Sequence, residues 1–272
     1  MTVQYCLHNG LAAAPELAEN RGLAYGDGVF ETLLVIDGKP LWSTEHLRRM
    51  AQAAAKLGLH CDEQLIGAEV EAVSRRSQGR GVLKIQLFRA AGGRGYHGAS
   101  GASERLLSLW PAPVSAVWRN GAKVILCTTR LSENYQLAGI KHLNRLEQVL
   151  AAREIQRAGA DEGLMLDTSG ALIEGGRSNL FAVRDGILLT PSLLKSGVRG
   201  IMREKIIAAA ADLSQPVKVC TLFPSHIVSA DELFLCNSVF GIWPVTSVGC
   251  VHKEIGPVSR QLQASFESSF HV

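Results

Sequence analysis

Apolar positions in the first third of the chain switch between strand and helix periods. Val29-Phe30-Glu31-Thr32-Leu33-Leu34-Val35-Ile36 is dense in β-branched and large apolar residues and predicts a strand. Asp37-Gly38, a pair that tolerates positive φ, predicts a hairpin turn returning through Lys39-Pro40-Leu41-Trp42. Leu47, Met50, Ala54 and Leu57 then recur at helical spacing, with Ser43 or Thr44 as the cap and Gly58 as a left-handed stop. Val82, Ile85, Leu87 and Phe88 place a strand over residues 81–89. It runs into Ala90-Ala91-Gly92-Gly93-Arg94-Gly95-Tyr96, a loop whose glycines permit close backbone approach. A further strand is predicted from Leu106 to Trp110.

Pro111-Ala112-Pro113 interrupts helix and sheet alike and predicts a domain boundary. The expected organisation is α/β (α+β), with a smaller N-terminal α/β domain over residues 1–113 and a larger C-terminal domain over residues 114–272. The second domain is richer in β pattern. Short strands are predicted over 124–128, 163–167, 171–174, 179–184 and 187–190, with turns at Thr168-Ser169-Gly170 and Asp185-Gly186. Two helices interrupt them. One runs from about Asn144 to Ala158, where Asn144 and Glu147 stand in a capping-box relation; the other runs from near Gly200 through Ala211.

Composition narrows the function classes. The 272 residues are 47% hydrophobic and 19% charged, which excludes a disordered chain and allows one large or two modest domains. Lys and Arg number 28 against 25 Asp and Glu, a formal charge of +3, and no dense basic run occurs. That argues against a nucleic acid or a membrane surface and for a small-molecule partner. The six cysteines show no C-x-x-C or Cys/His ligand spacing, so neither a metal site nor a disulfide framework is expected. Met1-Thr2-Val3-Gln4-Tyr5 lacks the pattern of a signal peptide, and no apolar run approaches the roughly 20 residues of a membrane span. A reduced, cytoplasmic protein is expected.

Several short segments have chemical potential, each with a plain alternative. Lys141, flanked by apolar residues in Leu137-Ala138-Gly139-Ile140-Lys141-His142, is either a solvated lysine or a partly desolvated amine suited to Schiff-base chemistry. Glu174, in Ile173-Glu174-Gly175-Gly176-Arg177-Ser178-Asn179, either faces a ligand at close range or sits beside a β-bulge. Ser196-Gly197-Val198-Arg199-Gly200-Ile201-Met202 opens a helix with glycines, which is either an ordinary loop-to-helix turn or the arrangement in which free backbone N–H groups bind phosphate, and it lacks the dinucleotide and nucleoside-triphosphate spacings. Arg49 in His46-Leu47-Arg48-Arg49 points away from the apolar stripe that includes Leu47, as a solvated residue does. Cys236-Asn237-Ser238 follows a strand and offers small polar groups at its end.

The order of these segments is more specific than any one of them. Tyr25-Gly26-Asp27-Gly28-Val29-Phe30-Glu31-Thr32, His46-x-x-Arg49, Lys141, Glu174-x-x-x-Ser178-Asn179-x-Phe181, Gly200-Ile201 and Trp243-Pro244-Val245 follow one another across nearly the whole chain. This series resembles the fold-type IV, or class IV, pyridoxal-phosphate-dependent enzymes, which include branched-chain and D-amino-acid aminotransferases and aminodeoxychorismate lyases. Two stretches, Leu137 through Gln148 and Gly92-Gly93-Arg94-Gly95-Tyr96, look most like the lyase branch of folate biosynthesis.

The resemblance implies a two-domain fold-type IV architecture whose C-terminal domain is a β-rich pseudo-barrel with helices and carries the Schiff-base lysine. It implies pyridoxal 5′-phosphate as cofactor, with Lys141 bonded to it, Glu174 at its pyridine nitrogen and Arg49 on its phosphate. The backbone of Ile201 and Met202 shares that phosphate, with Asn237 and Ser238 nearby. Many aminotransferase members have Thr where this chain has Met202, and Val239 replaces a hydroxyl residue, so backbone groups dominate the expected phosphate contacts. Tyr25, Arg94, Tyr96 and Tyr135 are the expected substrate contacts, the substrate being a small dicarboxylate. A homodimer is expected by the same resemblance.

Overall fold

The computed structural model describes residues 7–8, 11–12, 18–92, 95–98, 101–113 and 121–270. It divides into two compact units, Met1–Pro111 with Lys141–Asn144, and Ala112–Ile140 with Arg145–Val272.

In the first unit, β1 (Leu7–His8) and β2 (Leu11–Ala12) form a separate short hairpin. The main sheet is antiparallel, with β3 (Gly28–Ile36), β4 (Lys39–Pro40), β5 (Arg80–Arg89) and β6 (Ser103–Pro111) in the order β4-β3-β5-β6. Alternation along β5 sets its inner face. Gly81, Leu83, Ile85 and Leu87 are buried and pair with Val35, Leu33, Glu31 and Val29 of β3. Cross-strand partners share a face, so this register carries the charged Glu31 inward among aliphatic neighbours.

The predicted turn forms, with Asp37 at φ 46° and Gly38 at φ 77°. The return strand stops at Pro40, and Trp42 at φ 55° becomes the N-cap of the helix Ser43–Lys56 without a side-chain cap bond. That helix packs on β3 through His46, Met50, Ala53 and Ala54, a stripe at helical spacing. His46, not Leu47, occupies the inward position. The helix Glu63–Ser74 was not anticipated. Asp62 caps it by accepting the Leu65 N–H at 3.0 Å, and only Ile66, Val70 and Ser74 are buried on it, too thin an apolar signal to read.

Lys141–Asn144 pairs with the edge of β3 that the short β4 leaves open. Phe30 N–H donates to the Lys141 carbonyl at 2.9 Å, Leu143 N–H donates to the Gly28 carbonyl at 2.9 Å, and Val29 and His142 form an isolated bridge. This backbone pairing puts Lys141 in the first unit, whereas the sequence expectation placed it in the C-terminal domain. It also draws Asn144 away from the predicted capping box. Asn144 Nδ2 donates to the Gly26 carbonyl at 3.2 Å, the helix begins at Leu146, and Glu147 accepts the Ser132 N–H at 2.9 Å instead of reaching back.

Among the described residues, the second unit is built on a nine-stranded mixed sheet. Its strands are β7 (Ala122–Leu131), β8 (Glu162–Asp167), β9 (Leu172–Gly175), β10 (Asn179–Arg184), β11 (Ile187–Pro191), β12 (Val217–Cys220), β13 (Glu232–Asn237), β14 (Gly241–Val248) and β15 (Val251–His252). The order is β12-β11-β10-β13-β14-β7-β8-β9, with β15 beside β14. Leu172 of β9 bridges Leu222, just beyond β12, so the two ends of the sheet curl toward each other as a pseudo-barrel. Leu164, Leu166, Leu180, Leu235, Trp243 and Val245 belong to one core cluster. Met165, Ile173 and Cys127 pack in a second cluster with Ala151 of the helix Leu146–Ala158. β8 is thus buried at every position, which is why its sequence runs apolar without clean alternation. No helix among the described residues is long and apolar enough to cross a membrane.

Candidate active site

In the first unit, Lys141 and Arg49 each sit in a defined setting. The Lys141 side chain is partly buried, with Nζ 4.3 Å from the centroid of the Phe30 ring. Arg49 is not the solvated residue its helix position suggested. Its Nε donates to Glu31 Oε1 at 2.7 Å and its Nη2 donates to Glu31 Oε2 at 2.6 Å, leaving the side chain 15% exposed. His46 Nδ1 lies 2.6 Å from the same Oε2. Burial alone raises the Glu31 pKa, but the charges and hydrogen bonds of Arg49 and His46 outweigh it and hold the carboxyl at about 2. Burial pushes the His46 pKa down, with Arg49 and Lys141 acting in the same direction and Glu31 against them. Glu31 and His46 escaped the sequence reading as a pair. The available signal was Glu31 in register with Val29 and Leu33, because a charge on an inward face requires a partner.

Tyr25 and Tyr96 come together in this unit, with ring centroids 5.6 Å apart. Arg21, absent from the sequence reading, organises them. Its guanidinium lies 4.9 Å over the Tyr25 ring, Nη1 and Nη2 donate to the carbonyls of Gly95 and Tyr96 at 3.0 and 3.3 Å, and Nε donates to Asp27 at 3.0 Å. Tyr96 itself remains 90% exposed. Arg94 lies outside the described residues.

In the second unit, Glu174 is 5% exposed near the end of β9. Its Oε2 accepts the Val198 N–H at 2.8 Å and sits 3.5 Å from Asn179 Nδ2, which also donates to the Val198 carbonyl at 2.9 Å. Arg145 adds a neighbouring positive charge; burial lowers its pKa, while Glu174 and Glu147 favour its charged form. The loop that supplies Val198 is held on its other side by Gly139, which exchanges backbone hydrogen bonds with Gly197 and Arg199. Gly197 has φ +81°, and a Cβ there would lie 2.7 Å from Ile173, 2.9 Å from Leu193 and 3.2 Å from Glu174 Oε2. Gly197→Ala is therefore expected to lose about 1–3 kcal/mol of stability, read as a fall of several degrees in Tm. An unchanged Tm would contradict this account of the loop.

The same loop delivers the helix Ile201–Asp212. Gly200 is its N-cap, in extended conformation and with no side-chain cap bond, and the first helical hydrogen bond is Glu204 N–H to the Gly200 carbonyl at 3.1 Å. The N–H groups of Ile201 and Met202 precede that bond and have no acceptor within the helix. The Met202 side chain is fully buried, so its polar contribution at this terminus is its backbone. Asn237 is otherwise engaged. Its Oδ1 accepts the N–H groups of Val239 and Phe240 at 2.9 and 3.0 Å and its Nδ2 donates to the Arg177 carbonyl at 3.1 Å, so its side chain builds the turn after β13. Ser238 is partly buried in that turn, and Tyr135 is 69% exposed elsewhere in this unit.

Residues 28–248 match the class IV aminotransferase family, and the chain belongs to it. The aminodeoxychorismate lyase of Vibrio harveyi is 31% identical over 269 residues, spanning 96% of this chain and 98% of that one. Among solved structures, 4-amino-4-deoxychorismate lyase from Pseudomonas aeruginosa is 40% identical, with a TM-score of 0.88 and coverage of 96% and 97%. A branched-chain amino acid aminotransferase from Escherichia coli is 26% identical, with a TM-score of 0.84 and coverage of 96% and 93%.

Proposed function

We propose that this chain is a pyridoxal 5′-phosphate-dependent lyase that releases pyruvate from 4-amino-4-deoxychorismate and leaves 4-aminobenzoate, a precursor of folate. The observation that carries the reading is its likeness to lyases along nearly its whole length, at 31% and 40% identity, above the 26% shared with the aminotransferase structure.

The residues present fit the cofactor. Glu174 is a buried carboxylate whose Oε2 is held by the Val198 N–H, on a loop where Gly197 is packed too closely against Ile173 and Leu193 to accept a side chain. A buried carboxylate of this kind would keep a pyridine nitrogen protonated. The N-terminal N–H groups of Ile201 and Met202 and the Arg49 guanidinium are suited to a phosphate dianion. Lys141 would carry the cofactor covalently. When bound, pyridoxal phosphate supplies an electron sink for the pair released at the carbon that bears the amine.

Lys141 is the proposed base. Its Nζ takes the proton from C4 of the substrate, the C3–O bond breaks, and the departing enolpyruvyl group gains a proton to become pyruvate as the ring becomes aromatic. The same amine would hold the cofactor between turnovers. Tyr25 and Tyr96, brought together by Arg21, are proposed substrate contacts, with Tyr135 and Arg94. Purified protein loaded with pyridoxal phosphate is expected to convert synthetic 4-amino-4-deoxychorismate into pyruvate and 4-aminobenzoate in equal amounts. Release of neither product by the loaded protein would overturn the reading.

A further inference from the structure

We propose that Glu31 is a positioning residue for the cofactor phosphate: it fixes the orientation of the Arg49 guanidinium, with His46 as its second buried partner. The proposal rests on the reading that the chain binds pyridoxal phosphate through Arg49.

Glu31 is 1% exposed and lies on the inner face of β3, a costly place for a carboxylate. The chain satisfies it with the Nε and Nη2 edge of Arg49 and with His46 Nδ1. A two-point fork of this kind sets the plane of a guanidinium, which a single contact does not. The Arg49 charge and the hydrogen bonds of Arg49 and His46 outweigh burial and hold Glu31 in its ionised form. His46 is buried and pushed toward its neutral form, so the carboxylate acceptor requires the proton to sit on Nδ1. Its Nε2 is then an acceptor, and it has no hydrogen-bond partner among the described residues. The trio therefore has one arrangement of protons and one arrangement of donors. An arginine held this way has surrendered its rotamer freedom on folding, before any phosphate arrives.

The consequence is a phosphate-specific effect of a residue that need not touch phosphate. Affinities of the full-length protein, stripped of cofactor, are compared for pyridoxal phosphate and for pyridoxal, which lacks the phosphate. Glu31→Gln is expected to weaken pyridoxal phosphate by roughly 10–100-fold, the scale of losing hydrogen bonds to a charged group, and to leave pyridoxal within about twofold. In an Arg49→Met background the same substitution is expected to add nothing, since its effect passes through Arg49. Circular dichroism checks the fold, and Glu31→Asp supplies the same comparison if the Gln variant does not fold.

Unchanged or tighter pyridoxal phosphate binding in the Glu31 variant would overturn the proposal, the tighter case meaning that Glu31 competes with phosphate for Arg49. Equal weakening of both compounds, or a full effect persisting without Arg49, would reduce Glu31 to a structural residue. A wild-type protein that binds neither compound would remove the cofactor reading and this proposal with it.

Discussion

Lys141→Ala is expected to lower turnover of 4-amino-4-deoxychorismate by more than about 10³-fold, because one substitution removes both the proposed covalent attachment and the proposed base. The magnitude follows from the two roles assigned to a single amine, each of which contributes on its own. The fold should tolerate the change. What ties this segment to β3 is backbone pairing through Lys141, His142 and Leu143, which alanine preserves. The lost side-chain contact is the partly buried stem and the approach of Nζ to Phe30. Borohydride reduction followed by peptide mapping is expected to mark Lys141 in the wild type and nothing in the variant. A Lys141→Ala protein with undiminished pyruvate release would exclude the lysine from the chemistry.

The second large effect belongs to Glu174. Glu174→Gln keeps an oxygen that accepts the Val198 N–H, so the loop carrying Gly197 and Gly200 should hold its shape. What disappears is the negative charge that would keep the pyridine nitrogen protonated, and kcat is expected to fall by about 10²–10³-fold, the scale for an oriented electrostatic partner. Cofactor affinity should change far less, because Lys141, Arg49 and the helix terminus are untouched. A variant with wild-type kcat would show that the charge of Glu174 is not used. A variant that no longer binds the cofactor would assign Glu174 to retention instead of electronics.

Much of this organisation can be read from the residues, and the parts that cannot share a cause. β3, the turn at Asp37-Gly38 and β10 follow from local composition and period, which is information carried within a few residues. Lys141 and Glu174 are conspicuous because glycines and apolar residues flank them. The helix Glu63–Ser74 escapes because so few of its residues are buried. The side-chain role of Asn144 escapes because its partner, the Gly26 carbonyl, lies 118 positions away in the chain. A comparable separation hides the attachment of Lys141 to β3 through Phe30. Arg49 is the instructive case. Its helix position reads as solvated, and only the register of β3, which turns Glu31 inward, explains why it is not. Arg21 holds the Gly95-Tyr96 turn across 74 and 75 positions, and nothing in its own neighbourhood signals that.

Elimination of pyruvate is the proposed activity, and a nitrogen balance on the purified protein loaded with cofactor separates it from amino transfer. With 4-amino-4-deoxychorismate as sole substrate, and no 2-oxo acid added, sustained turnover is expected in which 4-aminobenzoate retains the substrate nitrogen and matches pyruvate mole for mole. Sustained amino transfer from D-alanine or a branched-chain amino acid to a 2-oxo acid, with no pyruvate released from 4-amino-4-deoxychorismate, would contradict it.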